Sequence, residues 1–260
     1  MAEELRTGTV DINGTKLYYE LRGAGPPFLF IPGAEGDAEE YLRVVELLGD
    51  EFTILSYDRR GYSRSLRPAD YSGTTVEQQA DDAAALLTAL NMAPAAVWGN
   101  SSGAIIGLNL VLRHPEVVSK AMLHEPPLFA GMGDSGQVLA FLKEATANGK
   151  VPFLKMLTGD VVYDGFSQGY RDRLEADDTW IKHEFDNFEY NRPRDESLAM
   201  VQRPVVVLHG ADSPPFFGEA ANWLAGRLGT KAVTIAGTHG VHYELPEEVA
   251  KAIRSFVSAP

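Results

Sequence analysis

Ala95-Ala96-Val97-Trp98-Gly99-Asn100-Ser101-Ser102-Gly103-Ala104-Ile105-Ile106 decides how this chain is read. A short apolar run enters Gly99, and a helical pattern leaves Gly103 and continues through Leu112. G-x-S-x-G between a strand and a helix is a nucleophile elbow. The turn is so tight that side chains at 99 and 103 would collide with their neighbours, so both positions need glycine. The Ser101 hydroxyl is thereby pushed out above the sheet. The helix starting at Ser102 aims free N–H groups and its positive end at the same spot, which suits a developing oxyanion.

Strand and helix signals alternate around this centre. Thr9–Ile12 and Lys16–Leu21 flank Asn13-Gly14 and predict a hairpin. Pro27–Pro32, Phe52–Tyr57, Ala95–Trp98, Val118–Leu123, Val205–Leu208 and Ala232–Ile235 read as strands. Asp37–Leu48 is amphipathic, Thr74–Leu90 is helical with Thr74 or Thr75 as N-cap, and Phe217–Leu228 and Pro246–Val257 close the pattern as helices. The expectation is an α/β fold with a mostly parallel sheet flanked by helices. Residues 130–203 break the rhythm. They hold helical stretches such as Gln137–Ala145 and Phe153–Leu157 and no good strand. The predicted division is a core of residues 1–129 and 204–260 with a helical cap, 130–203, inserted after the strand ending near Leu123. Such a cap covers the strand ends, where open α/β sheets place ligands.

The bulk numbers narrow the function. The 260 residues, 45% hydrophobic, suffice for one such domain. No stretch is long and apolar enough to span a membrane. The N-terminus, Met-Ala-Glu-Glu-Leu-Arg, lacks the apolar core of a secretory signal. With no cysteine, the chain has no thiolate nucleophile and fits a reducing, cytoplasmic setting. A net charge of −13 argues against nucleic acid and anionic membranes as partners.

A serine hydroxyl needs a base. Among six histidines, His239 stands in the loop after the last strand and before the final helix, in Gly237-Thr238-His239. His242 is the fallback, and His209 reads as structural. Neither His239 nor His242 belongs to a metal-binding motif, so the reading calls for no metal and no cofactor. Two residues compete as the acid that orients the base. Glu125 follows one strand, in His124-Glu125-Pro126-Pro127, and Asp212 follows the next, in His209-Gly210-Ala211-Asp212. The oxyanion needs a second N–H beside that of Ser102. The loop Pro32-Gly33-Ala34-Glu35-Gly36-Asp37 supplies it from Ala34, with Gly33 giving room against the substrate. Glu35 and Asp37 read as solvated or capping residues, because a carboxylate beside an oxyanion opposes it. Asp58-Arg59-Arg60-Gly61-Tyr62-Ser63 reads as a loop-tying charge cluster.

With these residues in place the chain resembles the α/β-hydrolase superfamily over nearly its whole length. It is most similar to the zearalenone-lactonase group of small capped ester and lactone hydrolases, through Trp98–Ala104 and His124-Glu125-Pro126. The resemblance implies a Ser101–His239–Glu125 triad, since that group carries its acid after the strand following the elbow. The superfamily's more usual spacing, counted from Gly210, lands on Ser213, one residue past Asp212. Trp180 falls where the group has a substrate-contacting tryptophan. The chain departs from the group at Gly33, where the group has a larger residue, and at Asn100, where it has cysteine. Residues 131–200 carry Phe141, Phe153, Tyr163, Phe166, Tyr170, Trp180, Phe185, Phe188 and Tyr190, which suggests a partly aromatic pocket. The implied activity is hydrolysis of a neutral, bulky, apolar ester or lactone, a zearalenone-like macrolactone included, with the oligomeric state open between monomer and homodimer. The rivals are a lactone-binding receptor on the same fold, with slow or single turnover, and a C–C hydrolase or thioesterase using the same triad.

Overall fold

β5 (Ala95–Asn100) is buried along its whole length and lies at the middle of an eight-stranded sheet. The computed structural model describes residues 5–189 and 191–259; the side chains of Phe188 and Glu189, and all of Tyr190, Pro260 and the first four residues, lie outside that description. Strand order is β1-β2-β4-β3-β5-β6-β7-β8. β1 (Arg6–Ile12) pairs antiparallel with β2 (Thr15–Arg22), and β2 pairs antiparallel with β4 (Thr53–Tyr57). β3 (Pro27–Ile31), β5, β6 (Val118–His124), β7 (Val205–Gly210) and β8 (Val233–Ile235) continue in parallel. The hairpin turn is the expected Asn13-Gly14, both residues having positive φ (45° and 74°), as a two-residue turn matched to strand twist requires.

The alternation of side chains along β5 explains why helices lie on both faces. Ala95 and Val97 enter one apolar cluster with residues of α2 (Val76–Ala89), α3 (Ser102–Arg113) and α10 (Pro215–Arg227). Ala96 and Trp98 enter the opposite cluster with α1 (Leu42–Leu48) and α12 (Pro246–Ser258). Thr75 is the N-cap of α2, its hydroxyl accepting the Gln78 N–H at 3.1 Å. The segment expected as one helix from Asp37 divides into a 3-10 turn, Ala38–Tyr41, and α1. Both Glu40 and Tyr41 are turned inward there, Glu40 onto the Gly33 N–H and Tyr41 onto the Ile31 carbonyl. These bonds tighten the first turn.

Between β6 and β7 every described regular element is helical. The series runs α4 (Ser135–Thr146), α5 (Lys150–Thr158), α6 (Asp160–Asp164), α7 (Gln168–Ala176), a π turn Trp180–Glu184, α8 (Phe185–Glu189) and α9 (Asp195–Ala199), after a 3-10 turn at Phe129–Gly131. α5 presents two faces. Phe153 joins a cluster with Ala34, Tyr62, Phe129 and Trp180, while Leu154 joins Tyr163, Tyr170, Leu174 and Tyr243. A buried polar joint locks these helices to the sheet. Glu184 accepts from Arg59 (3.0 Å), Gln79 (3.0 Å), Tyr62 (2.7 Å) and Tyr71 (2.8 Å). Arg59 also donates to the Gly33 carbonyl at 2.7 Å, so the same guanidinium holds the loop after β3. This is the loop-tying role read for the Asp58–Ser63 cluster.

Candidate active site

Ser101 sits at the end of β5 with φ 56° and ψ −127°, a conformation few residues other than glycine adopt. The glycines on either side make this turn possible. A Cβ on Gly99 would lie 2.3 Å from the Gly103 carbonyl oxygen, and one on Gly103 would lie 2.3 Å from the Ile31 oxygen. The Ser101 N–H donates to the His124 carbonyl at 3.0 Å, which ties the elbow to the end of β6.

Glu125 follows β6 immediately. Its φ of 48° swings the side chain off the strand line. The carboxylate is fully buried and uses both oxygens. Oε1 accepts the Gly210 N–H at 2.7 Å, and Oε2 lies 2.6 Å from Nδ1 of His239. Burial alone would raise its pKa. The hydrogen bond from His239 and the neighbouring imidazoles outweigh it and bring the carboxyl down to about 2. Asp212 stands apart from this pair. Its N–H donates to the Gly237 carbonyl at 3.0 Å, and its exposed carboxylate has no hydrogen bond or ion pair among the described residues. Of the two acids left open by the sequence, the fold brings Glu125 to His239.

His239 is held from three sides. Its Nδ1 meets Glu125, its carbonyl accepts Asn100 Nδ2 at 3.3 Å, and its ring stacks on Phe217 at 4.2 Å between centroids. Asn100 also turns its Oδ1 to Nδ1 of His124 at 2.7 Å. His124 is fully buried, stacked on Trp98, and burial lowers its pKa to about 4, so it stands neutral in the core. Phe217 and Asn100 were not singled out from the sequence. Phe217 carries no polar group, and Asn100 was marked only by its place inside the elbow and by standing where the resembling group has cysteine.

Ala34 and Ser101 face one small cavity of about 20 Å³ with Glu35, Phe153, His239 and His242. Among the described residues the Ala34 N–H is not spent on another acceptor, and Ser102, the first residue of α3, has none within its helix. Both N–H groups are free to hold an oxyanion. Gly33 serves as a loop joint. Its N–H donates to Glu40 at 2.8 Å, its carbonyl accepts Arg59, and it is absent from the cavity lining. A Cβ there would press on the Asn100 oxygen at 3.2 Å.

Three other expectations change. Trp180 is not in the cavity wall. It stacks on Phe153 at 5.6 Å and meets Phe185 edge-on at 5.0 Å, so it packs among the helices between β6 and β7, behind Phe153, which does line the cavity. Asp37 caps the turn as expected, accepting the Glu39 N–H, but it is buried and paired with Arg173 and Arg64 instead of solvated. Glu35 is not a cap. It is half-buried and lines the cavity, because the Gly36 turn folds the loop back over the elbow. His242 also lines the cavity, yet it meets no acid at hydrogen-bond distance; its Nε2 is 3.7 Å from Glu40, and burial keeps its pKa well below the usual value. His209 bonds Thr234 at 3.0 Å, away from this centre.

A family model described as "alpha/beta hydrolase fold" matches residues 26–244. The chain belongs to the α/β-hydrolase family. Among members of this family, the chain is 32% identical over 243 residues to an uncharacterized hydrolase, YraK, of Bacillus subtilis, covering 90% of both chains. A zearalenone hydrolase of Bionectria ochroleuca is 34% identical over 118 residues, 44% of this chain and 45% of that one. A hydrolase from Pseudomonas aeruginosa superposes with a TM-score of 0.79 at 22% identity, over 97% of this chain and 98% of that one. The chain is thus a hydrolase of this family. No helix among the described residues is long and apolar enough to cross a membrane.

Proposed function

We propose that this α/β-hydrolase cleaves carboxylic esters or lactones through an acyl-enzyme on Ser101. The observation that carries the reading is the 2.6 Å contact of Glu125 with Nδ1 of His239, whose ring in turn lines the cavity that Ser101 faces. With Nδ1–H committed to the carboxylate, Nε2 is the free base. The Ser101 oxygen attacks the carbonyl carbon while Nε2 takes its proton. The carbonyl oxygen becomes an oxyanion, held by the N–H groups of Ala34 and Ser102; one such donor contributes on the order of 3 kcal/mol. The C–O bond to the alcohol then breaks as the imidazolium returns its proton to the leaving oxygen. Water, deprotonated by Nε2, attacks the acyl-enzyme and releases the acid and free Ser101. Glu125 stays ionised throughout and stabilises the imidazolium.

A cavity of about 20 Å³ holds little more than one water. Entry of an ester therefore requires the cavity to widen; Phe153, Leu154 and Leu157 of α5 form part of its apolar side. The relative named zearalenone hydrolase makes lactones, macrolactones included, the first class to assay beside simple esters. Ser101→Ala should fold normally, lose all turnover and fail to react with a fluorophosphonate, while the wild-type adduct maps to Ser101. Labelling at Ser102, or turnover by the alanine variant, overturns the mechanism. A single stoichiometric burst without turnover indicates a receptor, and preference for a thioester or a C–C bond moves the chain to that reaction.

A further inference from the structure

Glu35 lines the cavity that Ser101 faces and directly follows Ala34, whose N–H is offered to the oxyanion. Its Oε2 lies 3.2 Å from where a Cβ on Gly33 would stand, so the carboxylate lies along the oxyanion loop. A negative charge there raises the barrier to forming an oxyanion unless a positive charge balances it. The first residue of α5 supplies one. Lys150 is only 5% exposed, and its Nζ makes no hydrogen bond among the described residues. Asp177 stands 3.9 Å from it and is itself satisfied by Arg67 at 3.0 Å and by the N–H groups of Ser63 and Thr179. Tyr62 places the ammonium against the loop. Nζ is 5.9 Å from the centre of its ring, and a Cβ on Gly36, the residue after Glu35, would overlap the same ring. Burial pushes the Lys150 pKa down, while the charges of Asp177, Glu35 and Asp37 act to keep the ammonium. Asp37 is already paired with Arg173 and Arg64, and the other cation at the loop, Arg59, is held by Glu184. Lys150 and Glu35 are left to balance each other.

We propose that Lys150 is a positioning residue whose buried ammonium cancels the charge of Glu35, so that the N–H groups of Ala34 and Ser102 can hold the oxyanion. The inference rests on the ester-hydrolase reading. Lys150 does not line the cavity; it acts through Glu35. It begins the helix whose Phe153, Leu154 and Leu157 do line it, so one helix brings both the apolar wall and the balancing charge.

Hydrolysis of the neutral ester para-nitrophenyl butanoate by wild type, Lys150→Met, Glu35→Gln and the double variant tests this. Lys150→Met should lower kcat about tenfold, the size expected of a unit charge several ångströms away in a partly screened site. KM should stay the same, because the neutral ground state does not sense that charge. Adding Glu35→Gln should bring kcat back to within about twofold of wild type. Glu35→Gln alone should exceed wild type, since the ammonium then faces the oxyanion unopposed. A Lys150 that only supports packing would instead lower the melting temperature and gain nothing from Glu35→Gln. Lys150→Gln carries the same test where the methionine variant does not fold. A Lys150→Met enzyme within about twofold of wild type, or a loss that Glu35→Gln does not relieve, overturns the inference and leaves the hydrolase reading intact. A wild type that hydrolyses no ester and takes no fluorophosphonate label removes both.

Discussion

Glu125→Gln tests the triad most severely, because the fold gives both oxygens of this carboxylate a partner. One accepts the Gly210 N–H at 2.7 Å and the other faces His239 Nδ1 at 2.6 Å. A glutamine amide has one acceptor and one donor end. With its oxygen on Gly210, its NH2 faces His239 and forces Nδ1 to accept, which moves the ring proton to Nε2. The imidazole then cannot take the Ser101 proton. With the amide flipped, the NH2 meets the Gly210 N–H, two donors face each other in a buried site, and about 1–3 kcal/mol is lost. The first arrangement avoids that conflict and dominates. The expected result is a fall in kcat of about 10³–10⁴-fold, as for a triad locked in the wrong tautomer, equal to roughly 4–5.5 kcal/mol of barrier. Asp212→Asn, whose exposed carboxylate has no partner among the described residues, should stay within about twofold of wild type. Steady-state hydrolysis of para-nitrophenyl butanoate, with circular dichroism to confirm folding, measures both. A Glu125→Gln enzyme keeping a tenth of its kcat, or a crippled Asp212→Asn, would refute the tautomer argument.

Two further outcomes follow from the buried polar groups. Glu184→Gln leaves the fully buried Arg59 short of its countercharge, so urea unfolding should show a loss on the order of 3–5 kcal/mol; a change under 1 kcal/mol would mean the cap joint is held by packing alone. Stability should also fall with pH in two stages, because both groups concerned bind fewer protons when folded. His124, held to about 4 from its usual 6.5, destabilises the fold as pH drops from 6.5 to 4, and Glu125, held to about 2 from 4.5, does so below 4.5. Each step is on the order of 3 kcal/mol. Urea midpoints at stepped pH check this, and a flat profile between pH 6.5 and 4 would exclude the neutral buried His124.

Local rules made the strand–helix alternation, the elbow glycines and the Asn13-Gly14 turn legible in the sequence. Each depends on backbone sterics or side-chain periodicity within a few residues. The serine follows from the same local geometry, and His239 from its place after the last strand. The resemblance supplied Glu125, but spacing alone left it level with Asp212. Only the parallel register of β6 and β7, with the positive φ of Glu125, puts that carboxylate between Gly210 and His239 while Asp212 turns outward. The wall of the cavity was equally illegible. Trp180 and Phe153 are both aromatic residues on cap helices, and which one faces Ser101 depends on how those helices dock. Glu184 meeting Arg59, a contact across 125 positions that no local pattern encodes, ties down the Trp180–Glu184 turn, and Phe153 stacks on Trp180 there. The place of Glu35 in the cavity lining was illegible for the same reason. A carboxylate in a glycine-rich loop belongs in water by composition, and its place beside the elbow comes from the fold of the Gly36 turn and the helices packed over it.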